Sequence, residues 1–132
     1  MTPRTSRRRA ARPEIVRAVV LDAALIVVFV LIGRASHGED LAPSGVLGTA
    51  WPFLAGGLAG WIVARAWRSP SRVVPTGLVV WGVTLVVGMV LRALSGEGVV
   101  VPFVITTAII LGLLMLGWRA ISAVVVRRRA RA

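Results

Sequence analysis

The sequence predicts an all-α protein, an integral membrane four-helix bundle with both termini on the cytoplasmic side. Hydrophobic residues make up 57% of the 132 residues, and the mean hydropathy is +0.85, whereas soluble domains are about 45–50% apolar. A chain this short cannot bury so much apolar surface in its own core. The apolar residues also form four runs, each near the roughly 20 residues needed to cross a bilayer.

Basic segments without apolar periodicity stand at both ends of the chain. Residues 1–16 are predicted to be a disordered, arginine-rich cytoplasmic tail, and residues 127–132 a basic cytoplasmic tail. Between them, residues 17–126 form the four-span domain, whose short breaks carry the Ser, Gly and Pro residues typical of turns. Because the breaks are short, consecutive helices should be antiparallel neighbours. The spans are expected at about 17–36, 46–67, 73–94 and 101–125.

The sixteen arginines are divided very unevenly between the two sides of these spans. Fourteen flank the termini and the middle turn, and only Arg34 and Arg92 lie on the other side. The loops of that other side also carry Glu39, Asp40 and Glu97. Because arginine-rich flanks remain in the cytoplasm, we expect a multi-pass protein of the cytoplasmic (inner) membrane with both termini inside. Its arginine-rich side should contact anionic lipid headgroups.

Several classes of chemistry are excluded by the residues themselves. The chain has no cysteine and one histidine, His37, which excludes disulfides, thiolate ligands and histidine metal clusters. It contains no Ser-His-Asp set, no pair of carboxylates within a span and no phosphate-binding loop with its lysine. The arginines are not interleaved with aromatic residues on a soluble face, which argues against nucleic acid. We therefore expect no metal, no cofactor, no catalytic residue and no enzymatic activity.

Asp22 is the one acid inside a predicted span. At a rise of 1.5 Å per residue it lies only about 7 Å beyond Arg17, shallowly below the inner interface. Ionisable residues in spans normally face the bundle interior and have partners. Arg119 reaches a similar depth from the same side and is the first candidate partner, with Arg65 the second. Asp22 is either half of an ion pair that fixes packing, which we favour, or a carboxylate that handles protons or ions.

A second group of polar residues is expected at the outer ends of the first and third helices. These residues could form a site for an anion or a lipid headgroup. Alternatively, they cap the helices and form surface ion pairs, which are worth about 0–1 kcal/mol each, and this interpretation is favoured. The group consists of Arg34, His37, Glu39, Arg92 and Glu97.

Small residues in the second and third spans indicate close helix packing. In lipid, helices associate through close approach at small residues and through Thr hydrogen bonds. Intramolecular packing explains this pattern, and a dimer face is the alternative. The packing residues are Gly56 and Gly60 in the second span and Gly77, Trp81, Thr84 and Gly88 in the third.

Similar short segments recur in the two halves of the chain. They stand at equivalent places in a two-helix unit, so the chain is either two helical hairpins in parallel repeat or a chance reuse of residues that favour helix ends. Pro52 and Pro102 are both expected in first turns, where a missing N–H is tolerated. The recurring segments are Arg34–Glu39 with Arg92–Glu97, Pro52-Phe53 with Pro102-Phe103, and Trp67-Arg68 with Trp118-Arg119.

Three stretches together resemble a known family. They are Asp22…Phe29…Gly33-Arg34…His37-Gly38, then the run 51–56 (WPFLAG), then Trp81…Thr84…Gly88-Met89…Leu91-Arg92. This pattern is similar to a bacterial and archaeal family of small four-helix membrane proteins, catalogued as a domain of unknown function (number three thousand and fifty-four). The resemblance covers nearly all of residues 18–120 and implies the four-span architecture. It implies no activity, but it suggests which positions to test first: Asp22, His37, Pro52, Trp81, Thr84, Gly88 and Arg92.

Three functions are compatible with these residues. The leading hypothesis is a non-enzymatic membrane protein that acts by association, as a homo-oligomer or an accessory subunit. The second is a small proton- or ion-coupled transporter or channel component that uses Asp22. The third is a membrane enzyme acting on lipids or isoprenoids, for which the sequence offers few candidate groups.

Overall fold

The computed structural model describes residues 11–131, and over this range the protein consists of helices and turns without strands. Four helices are long and apolar enough to cross a membrane, which confirms the predicted all-α, four-span architecture. Residues 1–10 of the predicted N-terminal tail and Ala132 lie outside the described residues. The helices are α1 (Arg12–Ser36), α2 (Pro43–Ala64), α3 (Leu78–Leu94) and α4 (Val101–Arg131). The third segment long enough to cross a membrane, Val73–Leu94, consists of α3 and the residues directly before it.

Two helices extend beyond the expected spans into the basic segments. α1 begins at Arg12 rather than near residue 17, because Pro13 fits the first turn and Glu14 is favourable at a helix N-terminus. α4 continues to Arg131, so residues 127–131, expected to be a tail, are helical. Arginine is a good helix former, and no glycine or proline interrupts this segment. Local helix propensity therefore carries both helices past the apolar runs.

The second span also differs from its expected bounds. α2 begins at Pro43. It ends at Ala64, because Arg65 adopts a left-handed conformation with φ 49° and ψ 50°. The early start places Pro52 inside the helix, so the expectation that it lies in a first turn is wrong, whereas Pro102 does lie in the first turn of α4. An interior proline removes one backbone hydrogen bond, which membrane helices tolerate when neighbouring helices compensate.

The connection between α2 and α3 contains one short helical turn, Ala66–Arg68, and a kinked segment, Val73–Gly77, in which the backbone of Val74 is extended. The helices run alternately up and down, so this connection lies beside the described chain termini. We call this the basic end, and it includes residues 65–77. The two other loops, residues 37–42 and 95–100, lie at the opposite end with three of the five acids. We call that the acidic end.

α2 and α3 are in contact through their backbones. A Cβ atom on Gly56 would lie 2.7 Å from the carbonyl oxygen of Thr84, and one on Gly60 would lie 2.9 Å from that of Val80. A Cβ atom on Gly88 would lie 2.5 Å from the ring of Phe53. The glycines predicted to pack helices, Gly56, Gly60 and Gly88, therefore form contacts between helices of one chain, as expected for intramolecular packing.

The packing residues of the third span, Gly77, Trp81, Thr84 and Gly88, form a stripe, and this stripe also contacts α4. The indole N–H of Trp81 donates to the carbonyl oxygen of Ala108 at 3.0 Å, and the Trp81 ring covers Gly112. Gly77 lies against the aliphatic part of Arg119, where a Cβ atom would approach to 2.9 Å. Thr84, which is buried, donates to the carbonyl oxygen of Val80 at 2.6 Å. The stripe thus divides between two neighbours, with Gly77 and Trp81 facing α4 and Thr84 and Gly88 facing α2.

Aromatic rings join three helices near the acidic end. Phe53 of α2 packs edge-on against Phe29 of α1, with 5.7 Å between ring centroids, and its centroid is 6.4 Å from that of Phe103 in α4. Leu111 and Met115 continue the buried core along α4. The core therefore runs from these rings toward the basic end.

The backbone contact at Gly56 predicts that a single added methyl group there destabilises the protein. Gly56→Ala should lower the free energy of unfolding by about 1–3 kcal/mol, because the fixed backbone of Thr84 cannot move aside. Thermal unfolding in detergent measures this change. Gly48→Ala on the same helix is the matched control, since a Cβ atom there meets nothing within 4 Å, and it should be neutral or stabilising by up to about 1 kcal/mol. Equal effects at both positions would contradict the packing described.

Candidate functional site

Asp22 lies on the inward face of α1, about one helical turn from Ala18 on one side and Ile26 on the other. All three residues are buried, and Asp22 is 3% exposed. A charged side chain is costly inside a membrane unless it has partners. The helical repeat of α1 therefore directs a carboxylate into the bundle, where other helices must supply donors.

Those donors come from Arg119 and two tryptophans. The two terminal nitrogens of Arg119 donate to separate oxygens of Asp22, Nη1 to Oδ1 at 3.0 Å and Nη2 to Oδ2 at 2.6 Å. The indole N–H of Trp61 donates to Oδ2 and that of Trp118 to Oδ1, both at 2.9 Å. Each carboxylate oxygen thus accepts two hydrogen bonds, and the ion pair has the bidentate geometry that favours Arg over Lys.

Arg119 is also satisfied on its remaining sides. Its side chain is fully buried, Nε donates to the carbonyl oxygen of Pro70 and Nη1 to that of Met115, both at 2.9 Å. Four of its five N–H groups are therefore bonded. The guanidinium lies 4.5 Å from the centroid of the Trp118 ring. Through this one residue, α4 is tied to α1 and to the α2–α3 connection.

Sequence reasoning finds the pair but not the indoles. Asp22 and Arg119, expected at similar depth, are brought together, whereas Arg65 lies exposed at the end of α2. Neither Trp61 nor Trp118 was predicted to contact Asp22. Depth in the bundle is the signal that could have identified these donors. Both indoles lie about as far from the basic end as Asp22, and each carries an N–H group that can donate to one of its oxygens.

The polar residues at the acidic end form two separate clusters. Arg34 contacts Glu39 at 3.2 Å and donates to Thr49 Oγ1 at 2.9 Å. Arg92 lies 3.9 Å from Glu97 and 4.4 Å from the centroid of the Phe103 ring. No hydrogen bond or ion pair joins the two clusters within residues 11–131. His37, exposed at the end of α1, has no side-chain bond to any described residue.

The two clusters share one local structure. In each, the arginine Nε donates to the carbonyl oxygen six residues later, Arg34 to Asp40 at 2.8 Å and Arg92 to Gly98 at 3.0 Å. The backbone N–H five residues after each arginine donates back to that arginine's carbonyl oxygen. Gly38 and Gly96, with φ 68° and 84°, supply the left-handed turn of this helix ending. Such contacts suit helix caps, and the repeat of two hairpins stays a prediction.

The arrangement around Asp22 is suited to holding helices together. Its carboxylate is neutralised and hydrogen-bonded, and neither of the two surface grooves described below is lined by Asp22 or Arg119. No group of three His, Cys, Asp or Glu side chains that could hold a metal occurs among the described residues. The site therefore joins α1, α2, α4 and the α2–α3 connection.

Comparison with known protein families gives a match. The family model described as "Protein of unknown function (DUF3054)" matches residues 19–122. No curated protein and no solved structure matches the chain. The matched segment contains Asp22, Trp61, Trp118 and Arg119, as well as both clusters at the acidic end.

The burial of the ion pair predicts that removing one charge destabilises the protein strongly. Asp22→Asn should lower the free energy of unfolding by about 3–5 kcal/mol, because the Arg119 charge remains buried without a counterion. Unfolding in detergent followed by circular dichroism measures it. The control is Glu97→Gln, whose side chain is 60% exposed and 3.9 Å from Arg92, so its loss should cost no more than about 1 kcal/mol. A neutral or stabilising Asp22→Asn would contradict the structural role.

Proposed function

The chain belongs to the protein family of unknown function DUF3054, and we propose that it is a non-enzymatic, multi-pass membrane protein that acts by association. The association proposed is with a second copy of the chain, through a groove between α3 and α4. Association with a different membrane protein, as an accessory subunit, is the alternative that the experiment below separates.

The bonding of Asp22 supports association over transport. A coupling carboxylate must exchange its proton or ion with water along a path through the protein. The Asp22 side chain is only 4% exposed, and its two oxygens accept four N–H groups. Exchange would require Arg119 and two indoles to leave the carboxylate. This is the observation on which the proposal rests, because it leaves the outer surfaces of the helices to perform the function.

α4 offers the largest unpacked surface. Only 17% of its most apolar segment is buried within the chain, against 28% for α1 and 44% for α2. Leu113 is 70% exposed and Ile109 is 56% exposed. Exposure to lipid is ordinary for a membrane helix, so a second feature is needed to indicate a contact with protein.

That feature is a groove of about 620 Å³ beside α4, with an almost wholly apolar lining. Small residues lie along it, and a Cβ atom on Gly117 would meet nothing within 4 Å. Small residues that leave backbone accessible are what membrane helices use to associate. The Trp81 ring covers Gly112 in this groove, whereas Gly117 is not covered by the chain's own side chains. The groove is lined by Val73, Trp81, Ala108, Ile109, Gly112, Leu113, Leu116, Gly117 and Ala120.

The proposal includes an orientation. With both termini cytoplasmic, the basic end faces the cytoplasm and contacts anionic headgroups, and the acidic end faces the opposite side of the inner membrane. The distribution of arginines supports this orientation, because thirteen of the sixteen belong to the basic end or to residues 1–10, which precede it, and only Arg34 and Arg92 belong to the acidic end. A fixed orientation gives the α3–α4 groove of every copy the same direction in the membrane, so a symmetric dimer formed through it has its two-fold axis along the membrane normal.

Cysteine cross-linking tests the proposed dimer, since the natural chain has no cysteine. Leu113→Cys, at the groove, should form disulfide-linked dimers in native membranes on mild oxidation. Leu58→Cys on α2, a position of similar exposure at 66% against 70%, should stay monomeric. Adding Gly117→Leu should reduce cross-linking at Leu113→Cys several-fold by filling the groove, whereas Gly33→Leu, equally free of neighbours, should not.

The outcomes separate the alternatives. Equal cross-linking at both cysteines would reflect random collision and would contradict a specific face. No cross-linking, together with a second membrane protein that stays bound through purification and is lost with Gly117→Leu, would favour the accessory subunit.

A further inference from the structure

A second groove, of about 660 Å³, lies at the basic end. It is formed where the α2–α3 connection meets the first turn of α1 and the last turns of α4. This position is at the end of the candidate membrane-spanning segments. The inference rests on the orientation proposed above, which puts this end at the level of the lipid headgroups. The groove is lined by Glu14, residues 68–74, Ser122, Ala123, Val126 and Arg127.

The lining carries an excess of positive charge. Arg68, Arg72 and Arg127 contribute three cations, and Glu14 is the one acid among the lining residues. None of the three arginines forms an ion pair with an acid in residues 11–131. By contrast, Arg34, Arg92 and Arg119 each have a carboxylate partner. The groove therefore holds guanidinium groups that the fold leaves available.

The floor of the groove is held rigidly from beneath. The carbonyl oxygen of Pro70, which is buried, accepts a hydrogen bond from Arg119 Nε at 2.9 Å. The hydroxyls of Ser69 and Thr76 are 3.0 Å apart, and the N–H of Gly77 donates to the carbonyl oxygen of Arg72 at 2.9 Å. A ligand would therefore bind to a turn that is already ordered, which reduces the entropic cost of binding.

Apolar side chains border the basic ones. Val74 and Val126, both lining residues, are 60% and 64% exposed, and Ala123 lies beside them on α4. A soluble phosphate would not use this apolar border, whereas a phospholipid has a charged phosphate joined to acyl chains. Basic pockets between membrane helices are known to hold anionic headgroups. We infer that this groove binds the phosphate headgroup of an anionic phospholipid, with the three arginines around the phosphate and the valines against the start of the acyl chains.

Native mass spectrometry of the full chain in detergent tests the site. Phosphatidylglycerol is added, and the variant Arg68→Gln/Arg72→Gln/Arg127→Gln is compared with Arg128→Gln/Arg129→Gln/Arg131→Gln. Both variants lose three charges at the basic end, but only the first set lines the groove. The groove variant should bind phosphatidylglycerol at least about tenfold more weakly than the natural chain, and the control variant should bind it within about threefold.

Two further comparisons, with soluble phosphates and with a zwitterionic lipid, identify the ligand chemistry. Inorganic phosphate and glycerol phosphate at the same concentrations should not displace the lipid, and phosphatidylethanolamine should bind more weakly than phosphatidylglycerol. Equal weakening by both triple variants would mean a diffuse electrostatic attraction and would overturn the site. Displacement by inorganic phosphate would assign the groove to a soluble anion, and equal binding of phosphatidylethanolamine would remove the preference for anionic lipid. Each of these results would overturn the proposal.

A second measurement keeps the test valid if the groove variant fails to fold. Ser122→Cys lies in the groove, and Ser44→Cys lies at the acidic end. In nanodiscs, phosphatidylglycerol should slow maleimide labelling of Ser122→Cys several-fold relative to phosphatidylcholine, while labelling of Ser44→Cys changes little. Equal slowing at both positions, or none at Ser122→Cys, would overturn the proposal.

Discussion

The fold depends on one buried ion pair. Asp22 and Arg119 come from the first and last helices, and each is costly in a membrane without the other. Their contact also recruits Trp61 from α2, Trp118 from α4 and the Pro70 carbonyl from the α2–α3 connection. α4 is the least buried helix, and this cluster of polar bonds fixes its position together with the Trp81–Ala108 hydrogen bond and the packing of Phe103 on Phe53. Because the hydrophobic effect contributes little between helices in lipid, directional bonds of this kind select one arrangement among many.

Backbone contact performs the same task between α2 and α3. Gly56 and Gly60 admit the α3 backbone, and the contact needs no polar group. The two ends of the bundle then differ in what their arginines do. At the acidic end, Arg34 and Arg92 are bonded to the loops that follow their helices. At the basic end, Arg68, Arg72 and Arg127 surround a groove. The arginines in the centre of the bundle and at the acidic end thus form ion pairs within the fold, whereas the three groove arginines at the basic end form none among the described residues.

The sequence predicts the architecture because lipid permits few alternatives: four apolar runs with short polar breaks must become four helices. The depth of each residue along its helix also predicts the Asp22–Arg119 pair, since both residues lie at a similar distance from the basic end. The indole donors were missed because a tryptophan near a span end, such as Trp118, usually indicates a headgroup anchor, and no local pattern marks the deeper Trp61 as a donor to Asp22. The ends of α1 and α4 were missed because apolar runs mark the membrane, whereas arginine-rich segments continue a helix beyond it. Pro52 was wrongly expected in a first turn because α2 begins earlier than predicted, at Pro43.

A double-mutant cycle on Asp22 and Arg119 tests most directly whether the buried pair organises the fold. The free energy of unfolding is measured for the natural chain, Asp22→Asn, Arg119→Gln and the variant with both changes. A structural pair predicts that the double variant loses at least about 2 kcal/mol less than the sum of the two single losses, since neither charge is then left alone. Losses that simply add would contradict the account, because they would mean that the two side chains stabilise the bundle independently of each other.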